Sequence, residues 1–284
     1  MSSARLAGQE LGPAAGHARL AADAAARPWV VKVGGRLCEE PEDRERLARA
    51  CAALARPLVL VHGGGDSVTR MQEQLGMLPR FESGRRVTSD AEMAVVEMVL
   101  SGSVNPALVR ALRAAGRQAA GVSGADAAMI ICRVVPELGR VGVPEHVDPS
   151  LLLLLLGAGI TPVVSPVSLD AGGRPLNVNA DEAAAAIAAA LRAERLLLVS
   201  DVDGVQVGEA TSQDLAAADV EPLIAGGTAT RGMIPKLRAA ARAAAHGVDE
   251  VRIGGFNAAL DAITGTRVHA PAHGASGYSE EARP

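Results

Sequence analysis

Short aliphatic runs, apolar at nearly every position, recur along the chain at residues 29–33, 57–61, 118–122, 161–165, 196–200 and 250–253. Longer segments rich in Ala, Leu and Arg lie between them, at 41–55, 89–100, 106–115, 149–156, 180–193 and 232–245. A strand with one face in water alternates apolar and polar residues; these runs do not alternate, so both faces are expected to be buried. Buried strands interleaved with helices predict an α/β fold, a mostly parallel sheet with helices on both sides. Residues 134–147, with Pro136, Gly139, Gly142 and Pro144, and residues 169–178, with Ala171-Gly172-Gly173, interrupt the pattern. Each is irregular enough to hold a hairpin. The ends, 1–28 and 271–284, are rich in Ala, Gly, Pro and charge and are expected outside a domain spanning 29–270.

The segment 89–100 has no clear polar side, since Ala91, Met93, Ala94, Val95, Val96, Met98, Val99 and Leu100 surround its axis. A helix on a monomer's surface shows a polar face. The expectation is a homodimer through this helix, with a higher oligomer left open; deep burial within one chain is the alternative.

Composition narrows the ligand classes. Aromatic residues are 1% of the 284, against 49% hydrophobic overall, so a flat ligand must be held by aliphatic side chains and backbone. A net charge of −4, without a basic patch carrying stacking aromatics, argues against nucleic acid. Cys38, Cys51 and Cys132 have no close metal-ligand spacing and are expected as reduced, buried small hydrophobes. The apolar run 151–156 is far shorter than the roughly 20 residues of a membrane span, and residues 1–28 lack a secretory pattern. A cytoplasmic protein with no membrane partner is the expectation.

The chemistry gathers where strands end. Val30-Val31-Lys32-Val33 runs into Gly34-Gly35, and Leu58-Val59-Leu60-Val61-His62 into Gly63-Gly64-Gly65. Glycines at the carboxyl ends of parallel strands let backbone N–H groups approach an anion, and a following helix N-terminus adds a favourable dipole. Neither cluster has the spacing of a dinucleotide fingerprint or a P-loop. Lys32 lies inside an apolar strand, where a charge is costly unless it is paired or faces a polar site. Lys236, after Arg231-Gly232-Met233-Ile234-Pro235, reads by itself as a solvated helix residue. Either Asn179 or Asp181 suits the cap of the Ala-rich helix that follows Asn177-Val178-Asn179-Ala180-Asp181. Asp201-Val202-Asp203-Gly204-Val205 reads as a tight turn or as a nucleotide and metal loop.

In this order, together with Gly84-Arg85-Arg86-Val87-Thr88, Val99-Leu100-Ser101-Gly102-Ser103-Val104-Asn105 and Gly232-Met233-Ile234-Pro235-Lys236, these motifs resemble the amino-acid kinase family, and within it the acetylglutamate kinases. The resemblance runs from Trp29 to Val268. It implies a three-layer αβα sandwich, the carbamate kinase-like fold, with an acceptor lobe at about 29–190 and a nucleotide lobe at about 191–270. It implies ATP as co-substrate, with Mg²⁺ carried by the nucleotide phosphates. The reaction implied is phosphorylation of the γ-carboxylate of N-acetyl-L-glutamate to N-acetyl-L-glutamyl 5-phosphate, a step of arginine biosynthesis. A kinase for carrier-linked or N-modified α-aminoadipate in lysine biosynthesis is the alternative, and a non-catalytic amino-acid-binding homologue a remoter one.

Carried over residue by residue, the resemblance makes Lys32 and Lys236 neutralise the transferring phosphoryl group, with Asp181 holding both. Gly64, Gly65, Arg86 and Asn177 would bind the acceptor, Arg86 by a two-bond grip on its α-carboxylate, with Arg85 a solvated neighbour. Gly34, Gly35, Asp201, Val202, Asp203, Gly204, Val205, Thr228, Ala229, Thr230, Gly232 and Met233 would contact ATP. The chemistry is coherent, because a side-chain carboxylate with a pKa of about 4.3 is already an ionised nucleophile and needs no general base. What remains is repulsion between two anions, which fixed cations and N–H groups relieve.

Overall fold

The computed structural model describes residues 26–82, 84–207, 210–227, 232–256, 260 and 265–270. Thr228, Ala229 and Thr230, most of the N-terminal extension and the C-terminal tail lie outside the described residues. One eight-stranded sheet runs in the order Asp214–Ala216, Thr266–His269, Glu250–Gly255, Arg195–Ser200, Trp29–Val33, Leu58–His62, Thr161–Ser165, Ala119–Ser123. Its pairings are parallel except that of Glu250–Gly255 with Thr266–His269. Each continuous apolar run of the sequence became one of these strands, within a residue or two at its ends.

Side chains alternate across a strand, so each central strand feeds two cores. Val30, Val59, Val61, Leu196 and Leu198 face helices Ala180–Ala190 and Met233–Ala245. Trp29, Val31, Val33, Leu58, Leu60 and Leu197 face helices Pro41–Ala53, Asp90–Val99 and Asn105–Ala114. The result is the expected three-layer αβα sandwich. The two irregular stretches are hairpins: Ile130–Val134 pairs with Val141–Val147, and Ser168–Asp170 with Pro175–Val178. These four strands close on one another in a small ring.

Helix Asp90–Val99 continues through a π-helical turn, Leu100–Val104, into Asn105–Ala114. The resulting 25-residue helix is apolar and long enough to cross a membrane by composition, which the sequence reading had not anticipated. Its Met93, Val96, Val99, Leu108 and Leu112 are packed into a core beside the sheet. Ser89 starts it with a reciprocal capping box to Glu92. Of its apolar surround, Ala91, Ala94 and Met98 stay on the outside.

Helix Gly65–Gln74 was absent from the sequence-predicted elements. It buries only Val68 and Gln72, so no apolar stripe marks it. What starts it is Gly64, whose φ of 141° turns the chain out of the strand.

Candidate active site

Lys32 shares the face of its strand with Val30, so its side chain points toward helix Ala180–Ala190. Asn179 caps that helix, its side-chain oxygen accepting from the N–H groups of Asp181 at 2.9 Å and Glu182 at 3.2 Å. With capping done by Asn179, the Asp181 carboxylate is left for other partners. It accepts from Lys32 Nζ at 2.9 Å and from Lys236 Nζ at 3.2 and 3.3 Å. Lys236 comes from the first turn of helix Met233–Ala245. Ala183, Ala184 and Ala188 on one helix and Ala239, Ala240 and Ala243 on the other are all buried, and such small side chains let the helix backbones approach closely. The expected solvated lysine is therefore drawn inward, its side chain only 14% exposed.

The three charges are electrostatically unequal. Burial works against the Asp181 carboxylate, but the two ammonium groups outweigh it and hold its pKa below the usual range. Burial also works against Lys32, yet the charge of Asp181 and the bond to it leave its pKa raised. For Lys236, burial and then repulsion from Lys32 prevail over Asp181, and its pKa falls to about 8. At neutral pH all three remain charged, giving the cluster one net positive charge.

The glycine ends make room for these groups. A Cβ on Gly34 would stand 3.1 Å from Lys32 Nζ, and one on Gly64 would stand 2.9 Å from Leu100 Cδ2. His62, fully buried, sets the second glycine loop. Its Nδ1–H donates to the Gly63 carbonyl at 2.7 Å, and its Nε2 accepts from Asn105 Nδ2 at 3.1 Å. That pairing requires the neutral imidazole, and burial lowers its pKa to about 4 despite the bond to Gly63. Asn105 also donates to the Val163 carbonyl at 2.8 Å, tying helix Asn105–Ala114 to the neighbouring strand.

Two cavities meet at Lys32, Gly34 and Gly35, which line both. The smaller, about 250 Å³, takes in Gly64, Gly65, Arg86, Asn177 and Asp181. The larger, about 480 Å³, takes in Lys236, Asp201 and Asp203. Val202, Gly204, Val205, Gly232 and Met233 line neither of these two cavities. Val205 is instead buried in the core, with its N–H donating to Thr266 Oγ1 at 2.8 Å, and so anchors the 201–205 loop.

Arg86 is more restrained than its motif suggests. Its Nη2 donates to the Gly65 carbonyl at 3.0 Å and to Thr69 Oγ1 at 2.7 Å, and its Nη1 donates to Gln72 Oε1. The guanidinium also lies over the Phe81 ring, 4.7 Å from its centroid. Three of the five N–H groups are thus engaged within the chain, leaving Nε–H and one Nη1–H for a ligand. Both Nη2 hydrogens are committed, so the posture seen does not offer two parallel bonds. Arg85 is not the solvated neighbour the sequence suggests: it pairs with Glu182, is half-buried and lines the smaller cavity. The reason is tertiary, since Glu182 follows Asp181 on the helix turn facing that cavity. Asn177 Nδ2 donates to Thr88 Oγ1 at 3.2 Å.

Sequence reasoning missed Thr69 and Gln72, which no motif marks. It also missed Asp66 and Arg46 beside the larger cavity. Gln72 is fully buried, and its Nε2 has no hydrogen-bond partner among the described residues. An unmet buried donor costs about 1–3 kcal/mol.

Comparison with known proteins agrees with this geometry. The model of the amino acid kinase family matches residues 27–255. An acetylglutamate kinase of Roseiflexus sp. (strain RS-1) is 47% identical over 231 residues, covering 79% of this chain and 87% of its own. Among solved structures, smu.665 from Streptococcus mutans UA159 superposes with a TM-score of 0.75 at 28% identity, covering 86% of this chain and 99% of that one. Carbamate kinase from Giardia lamblia bound to AMP-PNP does so with a TM-score of 0.66 at 17% identity, over 87% of this chain and all of its own, a likeness of fold.

Proposed function

The chain belongs to the amino acid kinase family, and from that premise we propose that it transfers the γ-phosphoryl group of ATP to the side-chain carboxylate of N-acetyl-L-glutamate. The observation that carries the reading is the Asp181 carboxylate bridging Lys32 and Lys236 where the two cavities meet. A carboxylate oxygen of the acceptor, lying in the smaller cavity, attacks the γ-phosphorus of ATP lying in the larger one. A new O–P bond forms, the bond to the β,γ-bridging oxygen breaks, and ADP leaves with that electron pair. No proton is transferred, so no base is needed. Lys32 stands between both ligands and offsets charge on the transferring group; Lys236 does so from the nucleotide side. Asp181 keeps the two ammonium groups together against their repulsion.

In this division of labour the acceptor lobe spans about 29–190 and the nucleotide lobe about 191–270, joined by one sheet. Gly64, Gly65, Asn177 and the charge of Arg86 bind the acceptor; Gly34, Gly35, Asp201 and Asp203 approach ATP. Val205 and Gly204 act by holding the 201–205 loop; contacts of Val202, Gly232 and Met233 with ATP rest on the family resemblance, and Thr228, Ala229 and Thr230 lie outside the described residues. Mg²⁺ would be carried by the nucleotide phosphates: among the described residues no cluster of three or more side chains is placed to ligate it, and the aspartates lining the larger cavity could meet it only through its waters. When bound on the phosphates, it neutralises their charge.

The exposed Ala91, Ala94 and Met98 support a homodimer through the 90–99 helix in a cytoplasmic enzyme, and sedimentation at micromolar concentration checks it: a monomer there refutes this face. The acceptor is tested by coupled ADP release with N-acetyl-L-glutamate against N-modified α-aminoadipate. One methylene alters binding by about 1–3 kcal/mol, so a preference of at least tenfold for N-acetyl-L-glutamate is expected. Preference for the longer substrate would overturn the reading.

A further inference from the structure

We infer that Gln72 is a positioning residue for the acceptor, acting through Arg86; the inference rests on the reading of Arg86 as the acceptor's cation. Gln72 lies on helix Gly65–Gln74 and does not line the acceptor cavity; it stands behind the guanidinium that does. Its amide orientation is fixed by chemistry. Arg86 Nη1 can only donate, so the amide oxygen must face it, which turns Nε2 toward surroundings that give it no partner among the described residues. A leucine or methionine would fill this buried site without stranding a donor, so core packing gives no reason for an amide.

The reason lies in Arg86. Gln72 and Thr69 belong to one helix and Gly65 begins it, and together they hold the guanidinium from one side over the Phe81 ring. Without the Nη1 contact, only the two Nη2 bonds and the Phe81 ring hold the group, and its Nη1 end is no longer fixed. The guanidinium, which lines the acceptor cavity, would then be less firmly preset there. Binding a small anion would have to order the guanidinium first, and that cost falls on acceptor affinity. Gln72 also adds no charge, so it orients Arg86 without cancelling it, as a glutamate would.

The test is steady-state kinetics of the full chain with Gln72→Met, which keeps the length of the side chain and removes the acceptor oxygen. The expected result is a roughly tenfold rise in KM for N-acetyl-L-glutamate, with kcat and KM for ATP within twofold and no fall in Tm. An acceptor KM within twofold of the parent, or a proportional loss in kcat and both KM values, overturns the inference. Should Gln72→Met not fold, Gln72→Glu decides: its carboxylate still holds Arg86 but offsets the charge, so the acceptor KM must rise at least fivefold, and an unchanged value refutes the contact. Arg86→Ala separates the two levels. A raised acceptor KM there with an unmoved one in Gln72→Met removes only the role of Gln72; an unmoved KM in Arg86→Ala removes the reading of Arg86 itself.

Discussion

The two cavities on either side of Lys32 differ in size and in the carboxylates that line them. In the smaller one, the charged groups are already neutralised or braced by the protein: Arg86 by Gln72, Thr69 and Gly65, Arg85 by Glu182, and Lys32 by Asp181. The larger one also has its cations paired, Lys236 and Lys32 by Asp181 and Arg46 by Asp43, but it adds the carboxylates of Asp66, Asp201 and Asp203, with the 201–203 turn exposed. The first arrangement suits recognition of one small anion whose shape and orientation matter. The second suits a ligand that brings a dense negative charge and its own cation, for which a rigid cage is unnecessary. The difference teaches that a rigid site and a roomy one can share a single lysine, so long as that lysine is pinned.

The largest effect should come from unpinning the shared end. Lys32→Ala and Lys236→Ala each remove a cation at the transferring group, and kcat should fall by about 10³-fold with smaller changes in either KM. Near-parental turnover in either variant would break the two-cavity mechanism. Next in size, Arg86→Ala should raise KM for the acceptor by about 30-fold, roughly 2 kcal/mol, and leave KM for ATP within threefold. An equal rise in both constants would mean the cavities are not separate in function.

The smallest effect is in pH. Lys236 has its pKa lowered to about 8, so in the free protein it is charged below that value and loses its charge as pH rises through it. Bound phosphates favour the ammonium form and raise that pKa. The kcat/KM for ATP should therefore decline several-fold between about pH 7 and 9, while kcat declines only at higher pH. Lys32, whose pKa is raised, should contribute no decline in this window. A flat kcat/KM profile to pH 9.5 would show that loss of the Lys236 charge does not limit ATP capture in this window.

Much of this was legible in the chain because it is local. Aliphatic runs rich in Val and bounded by turn residues became the buried strands, and the sheet followed from them, whereas the all-leucine run 151–156 folded as a helix; Gly64 had to be a glycine for reasons of space and φ that its neighbours impose. Lys32 betrayed itself as a charge in an apolar strand. Lys236 did not, since its partner Asp181 lies 55 residues away and reaches it only through a seam of alanines between two helices. Gln72 and Thr69 were equally silent: on a helix without an apolar stripe, a glutamine looks solvated until Arg86, 14 positions later, is folded over it.

Taken alone, the amino-acid order determined the layers, the glycine-bearing strand ends and the inventory of charges. Which charges meet was decided by the tertiary structure, because pairing energy depends on burial and on distances of a few ångströms, and both are set by how separate helices pack on the sheet.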